Sequence, residues 1–187
     1  MNGHAPAKIA LISNGPSAEL FDTYPREMFD TVIGVNWVVE RWLCDWWAFC
    51  DYTTFLQYTP LADMHGRIPR IFAKWRSLRK IAGLAPKQQN RVAAITCLCT
   101  HESIIAPCDT SPAWNATSGT AGLGLAWNLR GVDVYAFGAD MHGISDHTGR
   151  DNEASRHPVR WREELERWQE ITQAIEAYGG RVHRIIE

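Results

Sequence analysis

The stretch "KIALISNGPSAELF", residues 8–21, contains a short apolar run that ends in small polar residues and continues as helix-like sequence. A continuous apolar run of this length is typical of a strand that is buried on both faces of a sheet. Ser17 is the expected N-cap of the helix that follows. A strand that stops at such a turn before a helix often places an anionic ligand at the helix N-terminus.

Further apolar runs follow along the chain, and helical patterns alternate with them. The predicted strands are "DTVIGVN" (30–36), "DWWAFCD" (45–51), "VAAITCLC" (92–99), "VDVYAFGAD" (132–140) and "RVHRII" (181–186). The clearest predicted helices are "SGTAGLGLAWNLRG" (118–131), with Gly131 as its C-cap, and "HPVRWREELERWQEITQAIEAYGG" (157–180). This alternation predicts an α/β fold: a single Rossmann-like domain over residues 1–187, with a mainly parallel sheet and helices on both faces.

The composition is that of a globular protein, with 187 residues, 45% of them hydrophobic and 21% charged. No apolar run approaches the roughly 18 residues of a membrane-spanning helix, and the first residues show no signal-peptide pattern. The five cysteines are odd in number and have no framework spacing, so we expect reduced thiols and a cytoplasmic protein. The sequence leaves the oligomeric state open.

Residues 52–91 form the least regular part of the pattern, and we expect a basic arm or lid there. No acidic residue occurs between Asp63 and Glu102, while basic residues accumulate, beginning with Arg67, Arg70, Lys74 and Arg76. Such a tract in a mildly acidic chain predicts an anionic acceptor, either a glycan or DNA with a modified base. The alternative is a solvated surface that faces the chain's own acids.

Polar residues follow the predicted strands at the edge where parallel sheets bind ligands. The loop "NATSG" (115–119) adds hydroxyl groups and backbone N–H groups at the start of a helix. Together these positions predict a nucleotide site at Asn14, Gly15, Ser17, Asn36, Asp51, Thr117, Ser118, Gly119 and Asp140. The alternative for each residue is ordinary turn chemistry. The sequence has neither a G-x-G-x-x-G fingerprint with a downstream acid nor a Walker A motif.

The segment "GADMHGISDHTGRDNEASRHP", residues 138–158, offers three candidate general bases: His142, His147 and His157. His157 precedes Pro158, which suits the first turn of a helix. A metal site at His142, Asp146 and His147 matches no standard zinc spacing, so we expect no metal. A structural role is the alternative for each histidine.

Three fragments resemble the bacterial CMP-sialic-acid-dependent sialyltransferases of glycosyltransferase family 42. They are "IALISNGPSAEL", "VIGVNW" and "ATSGTAGLGLAWNLRGVDVYAFGADMHG", in the order and spacing of that family. The resemblance implies metal-independent, inverting transfer of a sugar from a CMP-sugar donor, without a cofactor. It implies that Asn14 and Asn36 contact the nucleotide, that Ser118 holds phosphate or the sugar carboxylate, and that His157 is the base.

The chain departs from that family at three positions. His142 stands where the family has a tyrosine, Asn115 where it has an arginine, and Asp51 where it has an asparagine. His142 is therefore a second catalytic candidate, which would stabilise the leaving phosphate when protonated.

Two alternatives remain open at this point. The same Gly-Pro-Ser turn and Gly-x-Asp strand end resemble the archaeal-type hydroxymethylpterin diphosphokinases, which use ATP and magnesium. Asp51 and Asp140 would then be magnesium ligands. The second alternative is a nucleotide-binding module without catalytic activity.

Overall fold

Six parallel strands form one sheet at the centre of the protein. The computed structural model describes residues 7–64, 69–73, 77, 80, 117–129, 131–151 and 158–186. The strands are Ala7–Ile12 (β1), Thr31–Val35 (β2), Trp46–Phe49 (β3), Arg70–Ala73 (β4), Gly131–Phe137 (β5) and Arg181–Ile185 (β6). The predicted strand at 92–99 lies outside the described residues.

The order of strands across the sheet is β4-β3-β2-β1-β5-β6, and every neighbouring pair is parallel. The chain therefore builds outward from β1 to one edge, and then returns to the other side of β1 to add β5 and β6. Ligands of such sheets bind where the order reverses, at the carboxyl ends of the central strands. In this fold that point lies between β1 and β5. The predicted Rossmann-like α/β class is confirmed.

Helices cover both faces of the sheet, as the sequence predicts. The α-helices whose bounds lie within the described residues are Tyr52–Met64 (α1), Ser118–Asn128 (α2) and Pro158–Ala177 (α3). The 3₁₀ helices there span Pro16–Thr23, Arg26–Met28 and Asn36–Glu40. Leu123 of α2 and Ile171 of α3 pack with Leu11 of β1 on one face. Phe55 of α1 packs with Phe21 and Trp47 on the other.

The segment after β1 differs from the expected helix. It is a 3₁₀ helix that begins after Gly15, and Ser17 is not its N-cap. The Ser17 hydroxyl instead accepts a hydrogen bond from Gly138 N at 3.1 Å, so it links the turn after β1 to the turn after β5. Pro16 begins this helix, as proline commonly does because its fixed φ suits a first helical position.

The C-terminal ends of α2 and α3 can be compared with the predicted glycine caps. α2 ends at Asn128 with Leu129 as its C-cap, so the prediction of Gly131 as the cap is wrong. Gly131 instead pairs with Ala7 and opens β5. α3 ends near the predicted place: Gly179 has a φ of 84°, and Gly180 N donates to Ile175 O at 3.0 Å.

Residues 52–91 have the least regular sequence pattern, yet their described portion contains a helix and a strand. Tyr52–Met64 forms α1, and Arg70–Ala73 pairs with β3 as an edge strand. Whether the rest of 52–91 acts as an arm or lid stays a prediction.

None of the helices among the described residues has the length and apolar character needed to cross a bilayer.

Cys44 and Cys50 are buried, and burial raises the pKa of the Cys44 thiol to about 12. The Cys44 thiol is therefore protonated at neutral pH. The other three cysteines lie outside the described residues.

Candidate functional site

A crevice of about 270 Å³ opens at the carboxyl ends of β1, β2, β3 and β5, where the strand order reverses. Most of the predicted nucleotide-binding residues line it. They are Asn14, Gly15, Asn36, Asp51, Thr117, Ser118 and Gly119. Ser17 and Asp140 are not in the lining, although both were predicted to bind the nucleotide.

Ser17 and Asp140 instead hold two turns together behind the crevice. The Asp140 carboxylate accepts a hydrogen bond from Ser17 N at 3.2 Å, and Gly15 N donates to Gly138 O at 2.8 Å. A Cβ added at Gly15 would collide with the Asp140 carboxylate and lie 2.6 Å from Gly138 O. Gly15 is therefore required by close packing of the two turns.

Arg184 of β6 fixes the second of these turns from outside. Its guanidinium donates to the carbonyl oxygens of Ala139 at 2.7 Å and Asp140 at 2.5 Å. Backbone groups that follow β5 thus gain partners that the sheet does not supply.

Three buried polar atoms at the crevice have no hydrogen-bond partner in the part of the chain that the structure describes. They are Ser13 Oγ, Asn14 Oδ1 and Trp37 Nε1. Leaving a buried polar atom unsatisfied costs about 1–3 kcal/mol. The set contains an amide oxygen, an indole N–H and a hydroxyl, and the three atoms have almost no accessible surface in this conformation. A ligand that offers both donors and acceptors would remove this cost once these side chains turn toward it.

Two crevice residues other than glycine adopt the left-handed backbone conformation. Asn36 has a φ of 53° and Met141 a φ of 54°. This conformation costs roughly 1–2 kcal/mol for an L-residue, less for asparagine. Trp47 Nε1 donates to Asn36 O at 2.5 Å, which helps to hold the first of them in place. Backbone strain of this kind concentrates at functional sites.

The N-terminus of α2 forms another wall of the crevice. Thr117 and Thr120 form a capping box, with reciprocal hydrogen bonds of 3.2 Å between side chain and backbone. The Ser118 hydroxyl accepts a hydrogen bond from Cys50 N at 3.1 Å, which joins α2 to the end of β3. Ser118 thus has a structural partner as well as a place in the lining.

Sequence reasoning missed the contribution of α3. Arg160, Trp161, Glu164 and Trp168 all line the crevice. Glu164 is only 7% exposed, and its Oε1 accepts a hydrogen bond from Thr117 Oγ1 at 2.6 Å. Part of the signal was present in the sequence, because Glu164 lies three residues after Trp161 and four before Trp168, on the same helix face.

The three candidate histidines have different surroundings. His157 lies outside the described residues, although Pro158, which follows it, begins α3. His142 is exposed and does not line the crevice. His147 N donates to Asn14 O at 2.9 Å, and its ring lies 5.3 Å from that of Trp42. Burial lowers the pKa of His147 below its ordinary 6.5, which favours the neutral form of this side chain at pH 7.

The loop that carries His147 is organised by Asp146. The Asp146 carboxylate accepts hydrogen bonds from Thr148 N, Thr148 Oγ1 and Arg150 N. Burial opposes its ionisation, but these hydrogen bonds outweigh burial and lower the pKa of Asp146. Asp146 therefore serves the loop, and among the described residues no three His, Cys, Asp or Glu side chains form a potential metal group.

Of the predicted acceptor-binding residues, only Arg70 is described. It begins β4, at the opposite end of the strands from the crevice, and its guanidinium lies 5.5 Å from the centre of the Trp46 ring. The structure therefore does not bring Arg70 to the crevice. Arg67, Lys74 and Arg76 lie outside the described residues.

The chain shows no significant match to any protein-family model, to any curated protein or to any solved structure.

Proposed function

We propose that the protein is a glycosyltransferase that moves a sugar from a nucleotide-activated donor to an acceptor hydroxyl. The observation that carries the proposal is the set of unpartnered polar atoms of Ser13, Asn14 and Trp37 in a crevice at the strand-order switch point. A nucleotide sugar supplies the mixed donors and acceptors that these atoms need. A CMP donor follows from the resemblance to the sialyltransferases alone.

The aromatic lining supports a ligand that contains rings. Trp37, Trp161 and Trp168 line the crevice, and indole faces pack well against the bases and C–H faces of nucleotide sugars. Arg160 also lines it and forms no ion pair within the described part of the chain. A guanidinium in this position can stabilise the charge that develops on a leaving phosphate.

In the proposed reaction, His157 removes the proton of the acceptor hydroxyl as its oxygen attacks the anomeric carbon. The bond from that carbon to the phosphate oxygen breaks, and the nucleotide leaves with the electron pair. The guanidinium of Arg160 and the side-chain N–H groups of Asn14 donate hydrogen bonds to the departing phosphate in the crevice. A single displacement of this kind inverts the configuration at the anomeric carbon.

The magnesium-dependent diphosphokinase has less support. Its two proposed ligands are Asp51, which lines the crevice, and Asp140, whose carboxylate accepts a hydrogen bond from Ser17 N outside the lining. A nucleotide-binding module without catalytic activity would share this crevice with the proposed enzyme. Only a measurement of nucleotide-sugar turnover distinguishes the two. Binding of an anionic acceptor by Arg67, Lys74 and Arg76 stays a prediction. Arg70 is no longer included, because it lies at the opposite end of the strands from the crevice.

Release of nucleotide from a panel of CMP-, UDP- and GDP-sugars tests the proposal. We expect metal-independent turnover of at least one donor, and a fall of about 10²–10⁴-fold in His157→Ala. Gln173→Ala, an exposed change on α3, is the matched control and should keep the wild-type rate.

Absence of turnover and of thermal protection with every donor would contradict the proposal. ATP consumption that needs magnesium would support the diphosphokinase instead. Nucleotide binding that His157→Ala leaves unchanged, without any turnover, would support the binding module.

A further inference from the structure

The turn that follows β1 is held in place from two sides. On one side Ser13 N donates to Phe137 O at 2.8 Å, which ties the turn to the end of β5. On the other side the carbonyl of Asn14 accepts a hydrogen bond from His147 N at 2.9 Å. The loop 145–151 thus supplies the partner that β5 does not give to this carbonyl.

The side chain of His147 anchors this loop in the protein. The residue is only 8% exposed, its Nδ1 lies 3.4 Å from the Asn14 carbonyl oxygen, and its ring packs against that of Trp42. The contact with the carbonyl requires a proton on Nδ1, because a carbonyl oxygen only accepts hydrogen bonds. In the neutral ring Nε2 then carries no proton, and it is buried without a hydrogen-bond partner among the described residues.

The same loop reaches a second part of the crevice through α1. The Arg150 side chain interacts with the hydroxyl of Tyr58, whose ring lies 6.2 Å from the ring of Trp37. Asn14 and Trp37 both line the crevice, and each carries one of its unpartnered polar atoms. The loop 145–151 therefore contacts one of these two residues directly and the other through a single intervening side chain.

Protonation of His147 would place a positive charge on a ring that is packed inside the protein. Burial of the ring, the largest effect, opposes protonation, as does the charge of Arg41. The hydrogen bond to Asn14 and the charges of Asp146 and Glu40 favour it, but the pKa of the ring stays below its ordinary value. A conformation in which the loop exposes the ring to water is therefore favoured when the ring is protonated.

We propose that His147 is a positioning residue for the nucleotide site: its neutral ring holds the loop 145–151 against Asn14, and its protonation releases the loop and weakens nucleotide binding. This inference rests on the proposed function, because the ligand is the nucleotide of the donor. His147 does not line the crevice, so it acts through the backbone of Asn14 and, by way of Arg150, through Trp37.

The pH dependence of nucleotide binding tests this inference. CMP, UDP and GDP are first ranked by thermal protection of the full chain at pH 7.5. The nucleotide that protects most is then titrated calorimetrically at pH 7.5, 6.5 and 5.5, with circular dichroism to confirm that the chain is folded at each pH. Apparent affinity falls in proportion to the fraction of protein in the binding-competent conformation.

The variant His147→Gln provides the reference, because glutamine keeps a side-chain N–H donor and takes up no proton in this range. We expect the dissociation constant of the wild type, divided by that of His147→Gln at the same pH, to rise at least about threefold between pH 7.5 and pH 5.5. The nucleotide phosphate and the remaining histidines titrate in both proteins, so their effects cancel in this ratio. His183→Gln, on β6 and outside the crevice lining, is the matched control and should keep the wild-type pH profile.

The pKa of His147 gives a second readout that needs no variant. Because linkage is reciprocal, a nucleotide that binds better to the form with a neutral ring must lower the pKa of that ring further. The negative charge of the nucleotide, acting directly on the ring, would raise the pKa instead. NMR titration of the His147 ring signals, with and without saturating nucleotide, measures the direction of the shift, which a purely structural role would not produce.

Each outcome decides. A smaller rise in the ratio of dissociation constants, or an unchanged or raised pKa of His147 in the nucleotide complex, overturns the inference and leaves the proposed function standing. Loss of the wild-type pH profile in His183→Gln overturns the assignment to His147. Absence of protection by any nucleotide removes the proposed function and this inference with it. If His147→Gln fails to fold, the NMR titration of the wild type decides.

Discussion

At the scale of single residues, the site depends on positions where the size or shape of one side chain is constrained. Gly15 is surrounded by the Asp140 carboxylate and the Gly138 carbonyl, whereas Asn36 and Met141 hold backbone conformations that most side chains resist. The Gly-Pro-Ser turn was predicted to bind a nucleotide. The sequence could not indicate that its serine would turn away to Gly138, because that contact joins residues 121 positions apart.

Gly15→Ala should destabilise the fold by about 1–3 kcal/mol, because overpacking forces neighbouring groups to move. Unfolding in urea, compared with wild type, measures the loss. The same substitution in an Asp140→Ala background should cost less, since one of the two colliding groups is then absent. Equal costs in both backgrounds would contradict the packing argument.

Glu164 shows where residue-scale prediction fails. In the sequence it belongs to the charged pattern of an amphipathic helix, in which acids ordinarily face solvent. The structure buries it at the N-terminus of α2, where its Oε1 accepts the hydrogen bond of the Thr117 hydroxyl. A local pattern does not show that Glu164 contacts the N-terminus of α2, which is distant in the sequence.

At the scale of elements, the loop 145–151 supports the crevice from behind. Ser145 and Asp151 close it with a hydrogen bond of 2.5 Å, and His147 N reaches the carbonyl of Asn14. The charged groups that act on His147 are Asp146, Glu40 and Arg41. Because burial lowers its pKa, the folded protein resists protonation of His147 more than the unfolded chain does.

The stability that comes from neutral His147 should therefore be complete above pH 6.5 and decline as the pH falls below it. Asp146, with an ordinary pKa of 3.8 that is lowered further, stays ionised down to pH 5. Urea unfolding at pH 7.5, 6 and 5 should show a steeper loss in wild type than in His147→Gln. Parallel losses in the two proteins would contradict this role for His147.

Elements with long apolar or periodic patterns were predictable, and short or interrupted ones were not. β1, β2, β5 and α3 lie close to their predicted bounds. α1 contains Pro60 within its span, which masks a helical pattern. The apolar run of β4 is only three residues long, because Arg70 precedes it and Lys74 follows it. β4 pairs with β3, and α1 packs against β3 and the 3₁₀ helix Asn36–Glu40. A local sequence pattern contains neither contact.

At the scale of the whole molecule, the crevice lies at the switch point of one parallel sheet. Substitutions that destabilise the central strands should therefore also disturb the crevice. β1 pairs with both β2 and β5, and Leu11 is fully buried in it. The fold class was predictable from alternation of strands and helices. The lining of the crevice was predictable where it follows strand ends or begins α2, but not where α3 contributes to it.

Leu11→Ala should lower the free energy of unfolding by about 2–5 kcal/mol, because it leaves a cavity between the sheet and α2. Leu43→Ala, at a side chain that is 56% exposed, should change it by less than about 0.5 kcal/mol. Thermal and urea unfolding measure both. A cost at Leu11 no greater than that at Leu43 would contradict the central place of β1.

The left-handed backbone at Asn36 and Met141 also bears on how natural variation in this protein should be interpreted. Asparagine or glycine at these two positions would indicate that a homologous chain retains the shape of the crevice. Valine, isoleucine or threonine there would be compatible with the sheet but not with these two turns. Such a homologue would be expected to have kept the architecture and lost the shape of the crevice.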